Sequence, residues 1–305
     1  AGRCTILAIM DEASKARSEC VKWLREDTVN DPDDIALVNN VLGIACISTF
    51  AFEQGFVAVK QALRSLQHRD APYNVSWSAA VKALLMIEQG RLSDARESVE
   101  GAIADVEKTL GAQSLSAGLL SIVLAETLYE ADELEAATQA LETGSFIGLD
   151  HGIVETTLAA CAIKSKIFFS KGMLEAALGI LEEGESRKDK GQSGRLSLAL
   201  RNERIKLLLR ANRFDEAKGI AEQFGFLNAR ARVQGVDDRD ATLEIPKIVR
   251  ARLRIASADV KRVSADLTPL IKRAQDCGRE RKVVELLLLM VKATWIDGKQ
   301  LPAFR

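Results

Sequence analysis

One phrase returns along this chain: QGRLSDA at 89–95, ADELEAA at 131–137, KGMLEAA at 171–177 and ANRFDEA at 211–217. The closing alanines, Ala95, Ala137, Ala177 and Ala217, stand 42, 40 and 40 residues apart, which is the period of a stacked helical hairpin. Looser copies, SADVKRV at 257–263 and DGKQLPA at 297–303, put Val263 and Ala303 at the same position after steps of 46 and 40 residues. Each phrase reads as one helix ending and the next beginning: a small or polar residue closes an apolar run, an apolar residue follows (Leu92, Leu134, Leu174, Phe214), and alanine comes three residues later. A larger side chain there would push the two axes beyond the usual separation of about 8 to 10 Å. A lone hairpin cannot bury its apolar face, whereas stacked neighbours can, so the period predicts an all-α solenoid with a long concave surface.

Nothing in the composition opposes this. The chain is 47% apolar and 28% charged with only 5 Pro in 305 residues, and no alternating β-branched run is long enough for a strand. We expect one α-solenoid over 1–305, with a degenerate N-terminal unit at 1–34 and repeats over 35–305, cut from a larger protein. First helices are predicted near 35–53, 75–89, 114–131, 152–171, 194–211, 241–256 and 279–296. Their partners fall near 56–68, 92–109, 134–143, 174–189, 214–224 and 259–276, with a loop at 228–240 around Gly235, Asp237 and Asp238.

Several function classes are set aside. A net charge of −1 argues against a nucleic-acid surface over the whole molecule. Five cysteines with no C-x-x-C pair read as buried thiols of a reducing, cytoplasmic compartment. Two histidines and no H-E-x-x-H give no metal site, and no cofactor is expected. The uncharged stretch Ile35 to Phe52 contains Asn39, Asn40, Ser48 and Thr49 and reads as a buried helix rather than a membrane span. Asn74-Val75-Ser76, without a secretory segment, reads as a chance sequon. Glu126, Glu155 and Glu285 form no acid–base pair at fixed spacing, so no catalytic residue is assigned and no enzyme is expected.

The stretch GLDHGIVETTLAACAIKSKIFFSKGMLEAALGILEEGE, followed by LALRNERIKLLLRANRFDEAKGIAEQFG, resembles the tetratricopeptide-like sensor region of the large ATP-dependent LuxR-type bacterial regulators, the MalT-like group. Similar phrasing runs from about Asn39 to Phe304. The resemblance implies a right-handed superhelical solenoid of tetratricopeptide-like hairpins, preceded in the family by a signal-transducing NTPase module and followed by a DNA-binding helix-turn-helix. Neither module lies in this sequence. Gly191-Gln192-Ser193-Gly194 lacks the lysine and hydroxyl of a phosphate loop, so these residues are expected neither to hydrolyse ATP nor to read an operator.

What remains is a surface. Eleven residues before each anchor stand Leu84, Glu126, Lys166, Lys206, Arg252 and Lys292; eight before it stand Ile87, Tyr129, Phe169, Leu209, Ile255 and Trp295. The columns differ by three residues and so share a helix face, and the resemblance implies that this face lines the groove. Glu126, Tyr129, Lys166, Phe169, Lys206, Arg252, Lys292 and Trp295 are the candidate ligand-binding residues: cationic heads for the anionic or polar end of a small inducer, rings for its apolar faces. Solvated lysines lying over ordinary core aromatics would show the same pattern. A further basic column, Lys82, Lys164, Arg204 and Arg250, lies two residues away, about 200° around the helix, and is assigned a structural role. Two functions stand: inducer sensing with control of oligomerisation, or a scaffold whose groove holds a peptide or protein and no small molecule.

Overall fold

The computed structural model describes residues 1–10, 12–26, 31–151, 154–186, 194–227 and 243–298, with 145–151, 154–156 and 194–196 in backbone only. The looked-for loop at 228–240, the Gly191–Ser193 tripeptide and the anchor Ala303 lie outside these residues. Among the described residues every regular element is a helix.

An N-terminal hairpin, α1 (Gly2–Ile9) and α2 (Ala13–Trp23), packs on α3 (Pro32–Ser48). Its partner is α4 (Phe52–Ser65). Then follow α5 (Pro72–Glu88) with α6 (Leu92–Leu110), α7 (Leu115–Glu130) with α8 (Leu134–His151), and α9 (Val154–Ser170) with α10 (Leu174–Ser186). The chain continues through α11 (Gly194–Arg210), α12 (Phe214–Gln223), α13 (Glu244–Ala256), α14 (Val263–Asp276) and α15 (Glu280–Ile296). It divides into two compact units, Ala1–Ser197 and Leu198–Arg305. In the first, α3 packs on α5, α5 on α7 and α7 on α9, and α4, α6 and α8 also touch the first helix of the following hairpin. In the second, α13 packs on both α14 and α15.

The repeated phrase folds as one turn, used again and again. Positive φ recurs at Phe50, Gly90, Asp132, Gly172, Asn212, Ala258 and Gly298. Around Gly90, the amide of Arg91 donates to the Met86 carbonyl at 2.9 Å and that of Gly90 to Ile87 at 3.0 Å, the 6→1 and 5→2 bonds of a Schellman ending. The same pair closes α3 at Cys46 and Ile47, α7 at Leu128 and Tyr129, α9 at Phe168 and Phe169, and α13 at Arg254 and Ile255. The carbonyl of the residue after the turn accepts the first helical bond, from Ala95, Ala137, Ala177 or Ala217, and all four alanines are fully buried. Phe50 shows a copy that the phrase had hidden, with Gly55 in the alanine's place: a Cβ on Gly55 would meet Leu85 Cδ2 at 2.9 Å.

Several boundaries differ from expectation: α3 runs Pro32–Ser48 rather than 35–53, and three other shifts have a visible cause or consequence. Helix α4 starts at Phe52 rather than 56, because the Phe50 turn comes earlier than any glycine or asparagine suggested. Helix α8 runs on to His151, and α14 opens at Val263 rather than 259, so Val263 begins the helix instead of lying one turn inside it. Starts follow local chemistry: Asp31 caps α3 through the Asp33 amide at 3.0 Å ahead of Pro32, and Ser114 caps α7. The uncharged run in α3 is buried, with Asn40 Nδ2 donating to the Asn74 carbonyl and Ser78 Oγ to Asn40 Oδ1 at 2.8 Å. Among the described residues no helix is long and apolar enough to cross a membrane.

Candidate ligand site

Helix α11 presents Asn202, Glu203 and Lys206, and Lys206 Nζ lies 3.2 Å from the Glu203 carboxylate one turn back. Arg252, midway along α13, is only 8% exposed. One arm of its guanidinium donates to Asn202 Oδ1 at 2.8 Å and the other pairs with Glu285 of α15. Lys282 closes the chain, its Nζ 2.5 Å from the other Glu285 oxygen. Among the described residues, Lys206, Arg252 and Lys282 thus gather with Glu203 and Glu285 in a polar network that joins three first helices of the second unit. Burial alone would raise the Glu285 pKa; Lys282, then Arg252 and Lys206, outweigh it and hold the carboxyl well below the usual range. The Lys206 and Lys282 side chains are each partly exposed, whereas Arg252 is buried.

The eight expected residues fall into three places. Glu126 and Tyr129 on α7 and Lys166 and Phe169 on α9 are neighbours in the first unit, with Lys166 Nζ 5.6 Å from the centre of the Tyr129 ring. Lys206 and Arg252 belong to the network just described. Lys292 and Trp295 stand on an exposed stripe of α15, Trp295 at 79% exposure.

Three members of the aromatic column lie against hairpin cores. Ile87 is buried in the α5–α6 core, while Tyr129 and Ile255 pack against the cores of their own hairpins. At these three positions the side chain lies against its hairpin, whereas Trp295 at the same position of α15 is exposed. The basic column also differs from a row of open heads: Arg252 is buried and paired, and Lys206 is bridged to Glu203. Asn202, Glu203 and Lys282 escaped notice because the columns compare one position across repeats. The i,i+3 spacings Glu203–Lys206 and Lys282–Glu285 were the available signal. The second basic column is structural at Arg250, which donates to the Phe226 carbonyl behind α12 at 2.9 Å.

A groove of about 730 Å³ lies elsewhere, between α5 and α6, lined among others by Lys82, Arg91, Asp94, Glu97 and Asp105. Its charges are mixed and Arg91 is already paired with Asp94. Among the described residues no group of three or more His, Cys, Asp or Glu side chains could hold a metal ion.

A family model of the MalT-like TPR region matches residues 1–304. The chain belongs to this family. Two relatives of this MalT-like TPR region are the serine/threonine-protein kinases PknK of Mycobacterium tuberculosis and Mycobacterium bovis, each 24% identical over 207 residues. That stretch covers 66% of this chain but only 18% of either kinase, so the chain corresponds to a small part of those relatives. Among solved structures, the TPR-like repeats of a putative kinesin light chain from Podospora anserina align at 18% identity with a TM-score of 0.46, over 64% of this chain and 94% of that one.

Proposed function

We propose that this MalT-like TPR region is the non-catalytic sensing segment of a LuxR-type, ATP-dependent transcription regulator, working in the cytoplasm and binding a small anionic or polar inducer. The observation that carries the reading is the pair of partly exposed lysine side chains, Lys206 and Lys282, gathered with Arg252 around Glu285. A carboxylate or phosphate entering there would compete with Glu285 for its cations. Exchange of one anion for another alters what joins α11, α13 and α15, and a ligand with unequal affinity for two arrangements shifts their populations and, in the whole regulator, its self-association. Tyr129 and Lys166, with Glu126 and Phe169, form a second candidate contact in the first unit.

Thermal unfolding of residues 1–305 against a panel of small carboxylates, phosphates and sugars tests this, since a ligand of the folded form raises the midpoint with concentration. A hit should lose about 1.5 to 3 kcal/mol of binding in Lys206→Ala or Lys282→Ala, the scale of one charged hydrogen bond. Undiminished binding by the double variant would sink the inducer reading.

The second reading is a scaffold for another polypeptide. It is favoured by the mutual pairing within the network, which already supplies Arg252 and Glu285 with partners. Stabilisation by a peptide or protein alone would decide for it.

A further inference from the structure

One member of the second basic column has no structural partner. Eight residues before its turn, Arg250 on α13 donates to the Phe226 carbonyl, and at the same place on α9 the Lys164 ammonium lies 5.7 Å from the centre of the Phe168 ring. Lys82 holds that position on α5, half-buried, and among the described residues its side chain makes no hydrogen bond, ion pair or ring contact. It lines the groove of about 730 Å³ instead. Across that groove stands a carboxylate in the same state. Helices α5 and α6 run antiparallel from the Gly90 turn, so residues equally far from it in sequence stand at about one height: Lys82 eight before it, Glu97 seven after. The Glu97 side chain likewise pairs with nothing among the described residues. The residues two past Ala137, Ala177 and Ala217 are Gln139, Gly179 and Gly219, so the repeat asks for no charge there.

Opposite charges that line one groove without joining leave room for a ligand between them. The groove's volume falls in the range of about 300 to 1,000 Å³ usual for small-molecule sites. Its floor is apolar, with Met86 and Val106 buried and Ala102 partly so. Gly101 leaves it open, since a Cβ there would meet nothing within 4 Å. A half-buried ammonium without a counter-charge costs free energy, and a carboxylate on Lys82 would remove that cost through a charge-assisted hydrogen bond. Glu97 repels a ligand with a second carboxylate and Lys82 repels a diamine, so the pair selects a molecule carrying one charge of each sign. Asp105, another lining residue, stands about 10 Å farther along the helix axis than Lys82, the span of an extended tripeptide at about 3.3 Å per residue.

We propose that the α5–α6 groove binds a zwitterion of the amino-acid type with an apolar side chain. Its carboxylate sits on Lys82, its ammonium on Glu97 for a free amino acid or on Asp105 for a tripeptide, and its side chain on Met86, Ala102 and Val106. The site shares no residue with the Lys206–Arg252–Glu285 network, so this proposal and the inducer reading stand or fall separately.

Calorimetric titration of residues 1–305 with leucine, methionine, phenylalanine and trileucine tests it. At least one should bind with a Kd below about 1 mM. Its N-acetyl and amide derivatives, which lack the ammonium and the carboxylate in turn, should each bind at least tenfold more weakly. Lys82→Met should weaken the bound probe at least tenfold, and so should Gly101→Met, which fills the groove from a position with space for it. Glu97→Gln should do the same for an amino acid and Asp105→Asn for the tripeptide, which tells the two sources apart. In the ligand-free chain Lys82→Met should hold or raise the thermal midpoint, because the charge it removes has no partner. Four results each overturn the proposal: no binding of any probe up to about 10 mM, derivatives that bind as well as their parent, binding indifferent to Lys82→Met, or a midpoint lowered by that substitution, which would give Lys82 a structural role.

Discussion

At Ala258 the backbone adopts a φ of +58°, a conformation in which a Cβ crowds the following carbonyl and which costs roughly 1 to 2 kcal/mol for an ordinary residue. Gly90, Gly172 and Gly298 carry the same turn elsewhere, and Asp132 and Asn212 use side chains that tolerate it. Ala258 is exposed and has neither advantage, so Ala258→Gly should stabilise the chain by up to about 1 kcal/mol, read from the urea midpoint. Helical glycines divide by their surroundings. A Cβ on Gly144 would stand 2.8 Å from Ile122 Cγ1 and 3.0 Å from the Gly118 carbonyl, whereas one on Gly179 meets nothing within 4 Å. Gly144→Ala should therefore destabilise by about 1 to 3 kcal/mol, and Gly179→Ala should stabilise by about 0.5 to 1 kcal/mol through helix propensity alone. Equal effects at the two sites would mean that the α7–α8 crossing is looser than described.

Between helices, the polar network of the second unit holds structure as well as candidate chemistry. Arg252→Ala would leave Glu285 without one of its cations and Asn202 without its donor, so it should destabilise the fold by about 3 kcal/mol, the scale for breaking a buried pair. Lys206 and Lys282, at the partly exposed edge of the network, are therefore the cleaner probes of binding. The pH dependence has a definite sign. Because the folded-state pKa of Glu285 is depressed, its contribution is present above the ordinary carboxylate pKa of about 4.3 and is lost as pH falls below it. Glu285→Gln should flatten the decline of stability on the acid side of about pH 4.5 and change little near neutrality in slope. The helices and their order were legible because each turn repeats a phrase with its own backbone requirement. The network was not, because its contacts run between Asn202, Arg252 and Glu285, residues 33 to 50 apart that no periodic comparison brings to the same line. Phe50 was hidden for the reverse reason: its turn has the common geometry without a residue type that announces it.

Across the whole molecule the five cysteines offer a readout of how its parts open. None forms a disulfide, and Cys4, Cys20, Cys46 and Cys161 are buried while Cys277 is half-buried. The first three share one core with Val38, Val41 and Leu42, where α1, α2 and α3 meet. Burial, reinforced by the neighbouring Cys4, pushes the Cys20 thiol well above its ordinary range, and burial pushes Cys46 up to about 11. A thiol must ionise to attack a disulfide reagent, so these groups combine poor access with little thiolate. Ellman's reagent at pH 8 should accordingly titrate one thiol of the native chain promptly, Cys277, and the remaining four only as the structure opens; in 8 M urea all five should react at once. Because Cys4, Cys20 and Cys46 lie in a single core, their slow phases should coincide and accelerate together when α1 is loosened, for example by Ala16→Asp at a fully buried position of α2. A second prompt thiol in the native chain, assigned by mass spectrometry to Cys4 or Cys20, would show that the N-terminal hairpin is not docked on α3 in solution, and Cys46 alone reacting slowly would then mark where the ordered array begins.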